Sequence, residues 1–390
     1  MLNMRKLVYN YKYSTKINNN NSVKSKQPIV LAHDSFTQFG GAERVVSAMA
    51  EVYPESPIYT LATDSKIISH FPQKTFHRSF LQIFYNLIPK LQLWFPLVPV
   101  ALRFFKVEPA EVVLSSSSAY IKGLRKPKDS IHINYCHTPT RFLWNDAIYA
   151  EGEVAKPLRG VMKLYFKWLR KWDLEAAKRV DHFIANSIEV QNRIKQYYNR
   201  ESTLIYPFVD NNFWHPTIAK QNYFLIAGRI TPYKGYDTIV KIFNELDLPL
   251  HVVGEGRYLE YLKSIAKSNV TFFGKVTDEE LRDQYSGAKA FIYPQIEDFG
   301  LMPLEAASCG TPTIGLSKAG SLETIDNGVS GLLIENFDTA TVKPIIDHWQ
   351  TDKYSLEQMR AHAEKFSKDK FQNQIKLFVE RILNDSKDNN

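Results

Sequence analysis

Arg229 and Lys234 stand in the run Ala227-Gly228-Arg229-Ile230-Thr231-Pro232-Tyr233-Lys234-Gly235, directly after an apolar stretch. Two fixed cations bracketed by glycines suit a pyrophosphate, because a charge-assisted, bidentate arginine contact is about twice as strong as a neutral hydrogen bond. Surface charge is the plainer reading of such a pair taken alone. Glu297 and Glu305 flank Asp298-Phe299-Gly300-Leu301-Met302-Pro303-Leu304. Pro303 opens an alanine-rich segment that Gly310 stops, so the spacing predicts a strand, a loop and a helix whose free N–H groups face a crevice. Gly40-Gly41 and Gly254-Glu255-Gly256 are turns at which a backbone can approach a phosphate, although either can be a turn and nothing more. His137, in Tyr135-Cys136-His137-Thr138-Pro139-Thr140-Arg141, can donate a hydrogen bond to a substrate oxygen. From that residue alone, a structural histidine fits as well.

Each of these positions follows a short apolar run, and the runs supply the elements that must hold them. Ile29–Ala32, Ile58–Leu61, Val112–Leu114, Ile131–Tyr135, Phe183–Ala185 and Leu204–Tyr206 alternate with helix-like segments such as Glu43–Val52. The pattern restarts with Tyr223–Ala227, Leu250–Val253, Val270–Phe273, Phe291–Tyr293 and Thr313-Ile314. Strands alternating with helices predict parallel sheets covered on both faces, an α/β chain with two doubly wound domains. Between them, Pro207 to Thr217 reads as a linker. Ser355–Phe366 and Lys370–Leu383 read as terminal helices.

The composition agrees with two cores. The chain has 390 residues, 44% of them apolar, and only two cysteines, Cys136 and Cys309, which points to a reducing compartment without a disulfide framework. The net charge of +8 is uneven: residues 1–27 carry +6, 28–210 carry +6 and 211–390 carry −4. A basic first half suits anionic lipid or solubility, and no nucleic-acid module is recognisable. The most apolar stretch, Leu91 to Phe105, is interrupted by Gln92, Pro96, Pro99 and Arg103 and is too short to span a bilayer. Residues 1–27 read as a disordered basic tail. A cytoplasmic protein is expected.

Taken together, Gly-Arg-x4-Lys-Gly, Val-Val-Gly-Glu-Gly (252–256), Phe-x-Gly-Lys-Val (272–276) with Glu280-Leu281, Glu-x7-Glu (297–305), Gly310-Thr311-Pro312 and Gly-x-x-Glu (320–323) resemble the retaining GT-B glycosyltransferases of family 4. Tyr-Cys-His-Thr-Pro with Arg141 and Trp144 is similar to bacterial mannosyltransferases of O-antigen and exopolysaccharide synthesis. The resemblance implies two Rossmann-like domains: 28–208 for the acceptor and 209–367 for a nucleotide-sugar donor, with 368–390 a helix packing back on the first. It implies catalytic roles for Arg229, Lys234, Glu297 and His137. It implies donor contacts from Gly40, Gly41, Gly228, Val276, Phe299, Gly300, Leu301 and Glu305, with Arg229 and Lys234 on the phosphates, Glu305 on the ribose and Glu297 and His137 on the sugar. The expected reaction moves a hexose, mannose from GDP-mannose first and a UDP-hexose second, to a glycan or lipid-linked acceptor. The expectation includes retention of configuration, no metal and no other cofactor, since no Asp-x-Asp motif is present. A sugar epimerase of the same fold lacks its acid/base set here, and a non-catalytic assembly partner usually loses residues this chain keeps.

On the acceptor side, His77–Lys106 and Lys156–Lys171 interleave aromatic and basic residues. Such a surface suits the headgroup layer of an anionic membrane at its inner face, and it suits equally a core with a solvated basic rim.

Overall fold

The structure, a computed structural model, describes residues 27–144 and 159–388. The expected basic tail lies outside them except for Gln27, as does the start of the basic stretch from Lys156.

The first sheet contains β1 (Gln27–His33), β2 (Ile58–Thr60), β3 (Phe76–Arg78), β4 (Ala110–Ser117), β5 (Ile131–Cys136), β6 (His182–Ala185) and β7 (Ser202–Leu204). They lie in the order β3-β2-β1-β4-β5-β6-β7, every pairing parallel. The second contains β8 (Phe224–Ala227), β9 (Leu250–Val253), β10 (Val270–Gly274), β11 (Phe291–Tyr293), β12 (Thr313–Leu316) and β13 (Gly331–Ile334). Its order, β10-β9-β8-β11-β12-β13, repeats the same winding in parallel. Central strands are apolar runs buried on both faces, as parallel sheets require: β8 and β12 are buried at every residue. The winding reverses between β1 and β4 and again between β8 and β11. Loops leaving those strands at their carboxyl ends form the crevice in which open α/β sheets hold ligands.

The strands not anticipated from the sequence, β3 and β13, are edge strands with half-exposed residues, so the continuous apolar signature is missing. β7 sits two residues earlier than the apolar pattern placed it, for the same reason.

Helices that bear on the crevice are α1 (Gly41–Val52), α2 (Arg159–Lys178), α3 (Ile188–Tyr198), α4 (Tyr236–Leu246), α5 (Asp278–Gly287), α6 (Met302–Ser308), α7 (Leu356–Glu364) and α8 (Lys368–Asp388). Their starts are set locally. Ser187 accepts from the Val190 N–H to open α3. Thr277 and Glu280 form a reciprocal capping box on α5, which accounts for the motif residue Glu280.

Among the described residues the chain crosses between the domains twice, side by side: Val209 donates to the Phe366 carbonyl and bridges Ser367. After the second crossing α8 returns to the first domain, where Phe371, Ile375, Phe378, Val379 and Ile382 join the core under α1 and β1.

Both cysteines are buried and free, and burial pushes each thiol up to about 12. They are apolar filling rather than nucleophiles.

Candidate active site

The switch-point loops of the two sheets face one another across a cleft of about 470 Å³. From the first domain come Gly40, Gly41, Arg44, Ser118, His137, Thr138 and Arg141; from the second come Lys234, Gln295, Glu297, Asp298, Phe299, Gly300, Leu301 and Glu305.

Asp34, just past β1, fixes the first domain's side. Its carboxylate accepts the N–H groups of Ser118 at 2.7 Å, Ala119 at 2.9 Å, Tyr120 at 2.9 Å and Ile121 at 2.7 Å. The loop after β4 is thereby pinned to the loop after β1, at the reversal of the sheet. The loop after β5 is held from beneath by Asp173 of α2, which is fully buried and accepts from Thr140 at 2.7 Å, Trp144 Nε1 at 2.9 Å, Tyr198 at 2.8 Å and Lys122 at 2.6 Å. Desolvation offsets most of the attraction within a buried ion pair, so the chief effect of this cluster is to orient. It aims Arg141 into the cleft and gives Trp144 its place.

In the second domain, Lys234 is the central cation. Its Nζ donates to Gln295 Oε1 at 2.7 Å and meets Glu297 Oε1 at 2.8 Å. Gln295 is 1% exposed, and its Nε2 donates to the Ala227 carbonyl at 3.0 Å, so its oxygen must face the lysine. The other oxygen of Glu297 lies 4.0 Å from Arg141 Nη1 of the first domain. One carboxylate thus stands between cations from both sides.

Further contacts join the domains around it. Arg44 of α1 pairs with Asp278 of α5 at 2.5 Å, and Arg193 of α3 pairs with Asp298. Burial raises the Asp298 carboxyl and the Arg193 and Arg141 charges oppose that rise. Glu323 accepts the Ile188 N–H at the start of α3, at 2.9 and 3.1 Å. Gly41 faces the Leu301 side chain: a Cβ there would lie 3.6 Å from Leu301 Cδ1.

Glu305, on the first turn of α6, lines the cleft. Burial pushes its carboxyl up to about 7, and the Arg44 charge works in the opposite direction. Burial likewise lowers the His137 imidazole to about 4, with the nearby His33 adding to the effect, so that His137 is neutral near pH 7.

Two models of known families match the chain: "Glycosyltransferase Family 4" over residues 39–213 and "Glycosyl transferases group 1" over residues 208–366. The chain belongs to the group 1 glycosyltransferases. Among its relatives is the O-antigen chain mannosyltransferase RfbU of Salmonella typhimurium, 28% identical over 53% of this chain and 59% of that one. A GDP-mannose-dependent alpha-mannosyltransferase of Corynebacterium glutamicum is 31% identical over 40% of this chain and 38% of that one. The matched region therefore spans less than two thirds of either relative. The fold is that of Anabaena Alr3699/HepE, solved in complex with UDP and glucose, with a TM-score of 0.65 at 16% identity over 91% of this chain and 100% of that one. The architecture is GT-B, two Rossmann-like sheets about one cleft, as the motifs implied.

In this glycosyltransferase Gly40, Gly41, His137, Lys234, Glu297, Phe299, Gly300, Leu301 and Glu305 all line that cleft. Arg229, Gly228 and Val276 lie beside it rather than on its wall. Arg229 is exposed on the loop after β8, and Val276 packs against the core around Tyr285 and Phe299. Gly254 has a different duty from the phosphate turn considered for it. With φ +131° and an added Cβ only 2.0 Å from the Gly228 carbonyl oxygen, it lets the loop after β9 cross under the loop after β8. Gly320 does the same against Phe299, where a Cβ would lie 2.1 Å from the carbonyl oxygen, and its N–H bonds the Glu297 carbonyl at 3.1 Å. The Gly-x-x-Glu motif thus carries the loop that presents Glu297.

Sequence reasoning left Gln295, Arg44, Asp278, Arg193 and Asp34 without roles. Gln295 was the accessible one: a polar residue in the first two positions past a buried strand is an unusual occupant of a core edge. The others act across domains or between distant loops, and no local spacing encodes that.

Proposed function

We propose that this glycosyltransferase moves mannose from GDP-mannose, with retention of configuration and without a metal ion, to a glycan or lipid-linked acceptor of surface polysaccharide. The observation that carries the reading is the meeting of Lys234, Gln295, Glu297 and Arg141 at the carboxyl ends of both sheets. Diphosphate departure builds negative charge as the anomeric carbon becomes cationic. Lys234, with Arg229 on the same loop, offsets that charge more in the transition state than before it. Glu297 sits where it can accept hydroxyl hydrogen bonds from the transferred sugar, and Glu305 where it can accept those of the ribose. A donor phosphate oxygen takes the acceptor's proton in a front-face attack. The GDP-mannose-dependent relative favours a guanine nucleotide, and the UDP-bound fold relative makes a UDP-hexose the second candidate.

The acceptor side adds a membrane surface to the proposal. Phe80, Phe84, Trp94, Phe95 and Phe105 are half-buried and pack against the core, which answers for much of the aromatic content. Leu87 at 70%, Phe104 at 68%, Leu164 at 71% and Trp168 at 48% exposure are left outward, among Lys90, Arg103, Lys163 and Lys167. No described helix is long and apolar enough to cross a membrane. We propose shallow docking on anionic lipid instead.

Thermal-shift measurement with GDP-mannose, GDP, UDP-glucose and UDP, each with and without EDTA, tests the donor. Stabilisation by the guanine pair that survives EDTA is expected. Stabilisation by the uracil pair alone overturns the donor, and loss on chelation overturns metal independence. An NMR assignment of the product's anomeric proton decides retention.

A further inference from the structure

A buried chain of polar groups runs behind the cleft wall and ends at His137. His33, at the end of β1, is 2% exposed, Ser116 of β4 is 1% and Glu43 of α1 is 5%. None of the three lines the cleft. His33 Nδ1 lies 3.0 Å from the Ser116 carbonyl oxygen and 3.2 Å from Ser116 Oγ. On its other side His33 Nε2 lies 3.5 Å from Glu43 Oε1. Ser116 Oγ lies 2.8 Å from His137 Nε2.

The Ser116 carbonyl sets the direction of the chain. A carbonyl oxygen only accepts, so His33 Nδ1 carries a hydrogen. The same N–H also faces Ser116 Oγ, which leaves the serine hydroxyl hydrogen with a single acceptor within reach among the described residues, His137 Nε2. Were His137 Nε2 protonated instead, the serine hydroxyl would be a buried donor without an acceptor, a loss comparable to a broken hydrogen bond. His137 therefore holds its hydrogen on Nδ1, the ring nitrogen left for the cleft.

We propose that His33 and Ser116, backed by Glu43, are positioning residues that lock His137 as an Nδ1–H donor toward an oxygen of the transferred sugar. This rests on the donor reading above for the sugar, though not for the tautomer. Glu43 links the relay to the nucleotide side as well: its second oxygen accepts the Gly40 N–H at 2.9 Å. One buried carboxylate thus sets both the glycine turn and, through His33 and Ser116, the histidine. The charges around His137 agree. Besides burial, His33 disfavours its protonation, while Glu43 and Asp34 favour it and do not prevail. For Glu43, burial alone would raise the carboxyl, but the hydrogen bond and charge of His33 hold it below its ordinary value.

The test needs no acceptor. Protein labelled with 15N-histidine gives two-bond proton–nitrogen correlations that distinguish the tautomers, and His137→Gln identifies the signal. The expected wild-type pattern is Nδ1–H, lost in Ser116→Ala and kept in Ser116→Thr. A wild-type Nε2–H pattern, or Nδ1–H surviving in Ser116→Ala, overturns the relay. Calorimetry with GDP-mannose and GDP then reads the consequence. The affinity gained from the sugar should fall roughly 3- to 10-fold in Ser116→Ala, with GDP binding unchanged. An unchanged ratio alongside an altered tautomer removes the sugar contact from the proposal. If neither nucleotide binds the wild-type protein, the donor assignment fails, and the spectra still decide the tautomer.

Discussion

Replacing Lys234 with alanine separates two quantities that its surroundings tie together. In the folded protein the ammonium satisfies Gln295 Oε1 at 2.7 Å and Glu297 Oε1 at 2.8 Å, which uses two of its three donors. The third is available to a phosphate. Removing the side chain orphans Gln295 Oε1 in a site that is 1% exposed, at a cost of about 1–3 kcal/mol. That corresponds to roughly 2–4 °C of melting temperature per kcal/mol. The donor loses a charge-assisted hydrogen bond of about 1.5–3 kcal/mol, so GDP should bind roughly 10- to 150-fold more weakly. Isothermal calorimetry with GDP gives the second number and thermal unfolding the first. Lys234→Ala combined with Gln295→Met removes the orphaned amide together with its cause. The double variant should recover stability without recovering GDP affinity. GDP binding within about twofold of wild type in either variant refutes the phosphate assignment of Lys234, whatever the melting temperature does.

Glu305 supplies a pH-dependent prediction. Its folded-state value of about 7 lies above the ordinary 4.5, so the folded protein binds the proton more tightly than the unfolded chain. Its contribution to stability is complete below about 4.5 and is lost as pH rises through about 7. Glu305→Gln should therefore match wild type at pH 4.5 and exceed it at pH 8 by at most roughly 3 kcal/mol in urea unfolding, and a pH-independent difference contradicts the assignment. Gly254→Ala forces a Cβ to 2.0 Å from the Gly228 oxygen at φ +131°, and a stability loss of about 2–4 kcal/mol by urea titration is expected; a change within 0.5 kcal/mol would show that the loop crossing yields freely. Leu164→Glu with Trp168→Glu should abolish flotation with phosphatidylserine vesicles at physiological salt while leaving the melting temperature within about 2 °C, since both side chains face solvent. Flotation unaffected by the pair moves the membrane contact elsewhere.

The two-sheet architecture was legible because central parallel strands announce themselves as apolar runs with loops at one end. Phe291–Tyr293 and Phe224–Ala227 were readable for that reason; Phe76–Arg78 and Gly331–Ile334, half wet at the edges, were not. Within the cleft, residues on the loops that leave the strands stood out: Lys234, Glu297, His137 and the Gly40-Gly41 turn. What the linear order conceals is pairing at a distance. Nothing in Arg193 points to Asp298, nor in Glu323 to the start of α3, because those contacts arise only when two independently wound domains meet. Gly254 misled for a related reason: a glycine forced by a crossing backbone looks the same in sequence as one left open for a phosphate.

The return of α8 to the first domain has a consequence for synthesis. The core beneath α1 and β1 includes Phe371 through Ile382, which the ribosome makes only after both sheets. Residues from Phe224 to Ile334 contain every strand of the second sheet and can pair before α8 has been made available. The first domain, although translated earlier, must wait for a helix that follows the whole second sheet to complete its core. Vectorial folding therefore runs against the order of translation, and a stalled or prematurely terminated chain would present an unfinished amino-terminal half to proteases and chaperones.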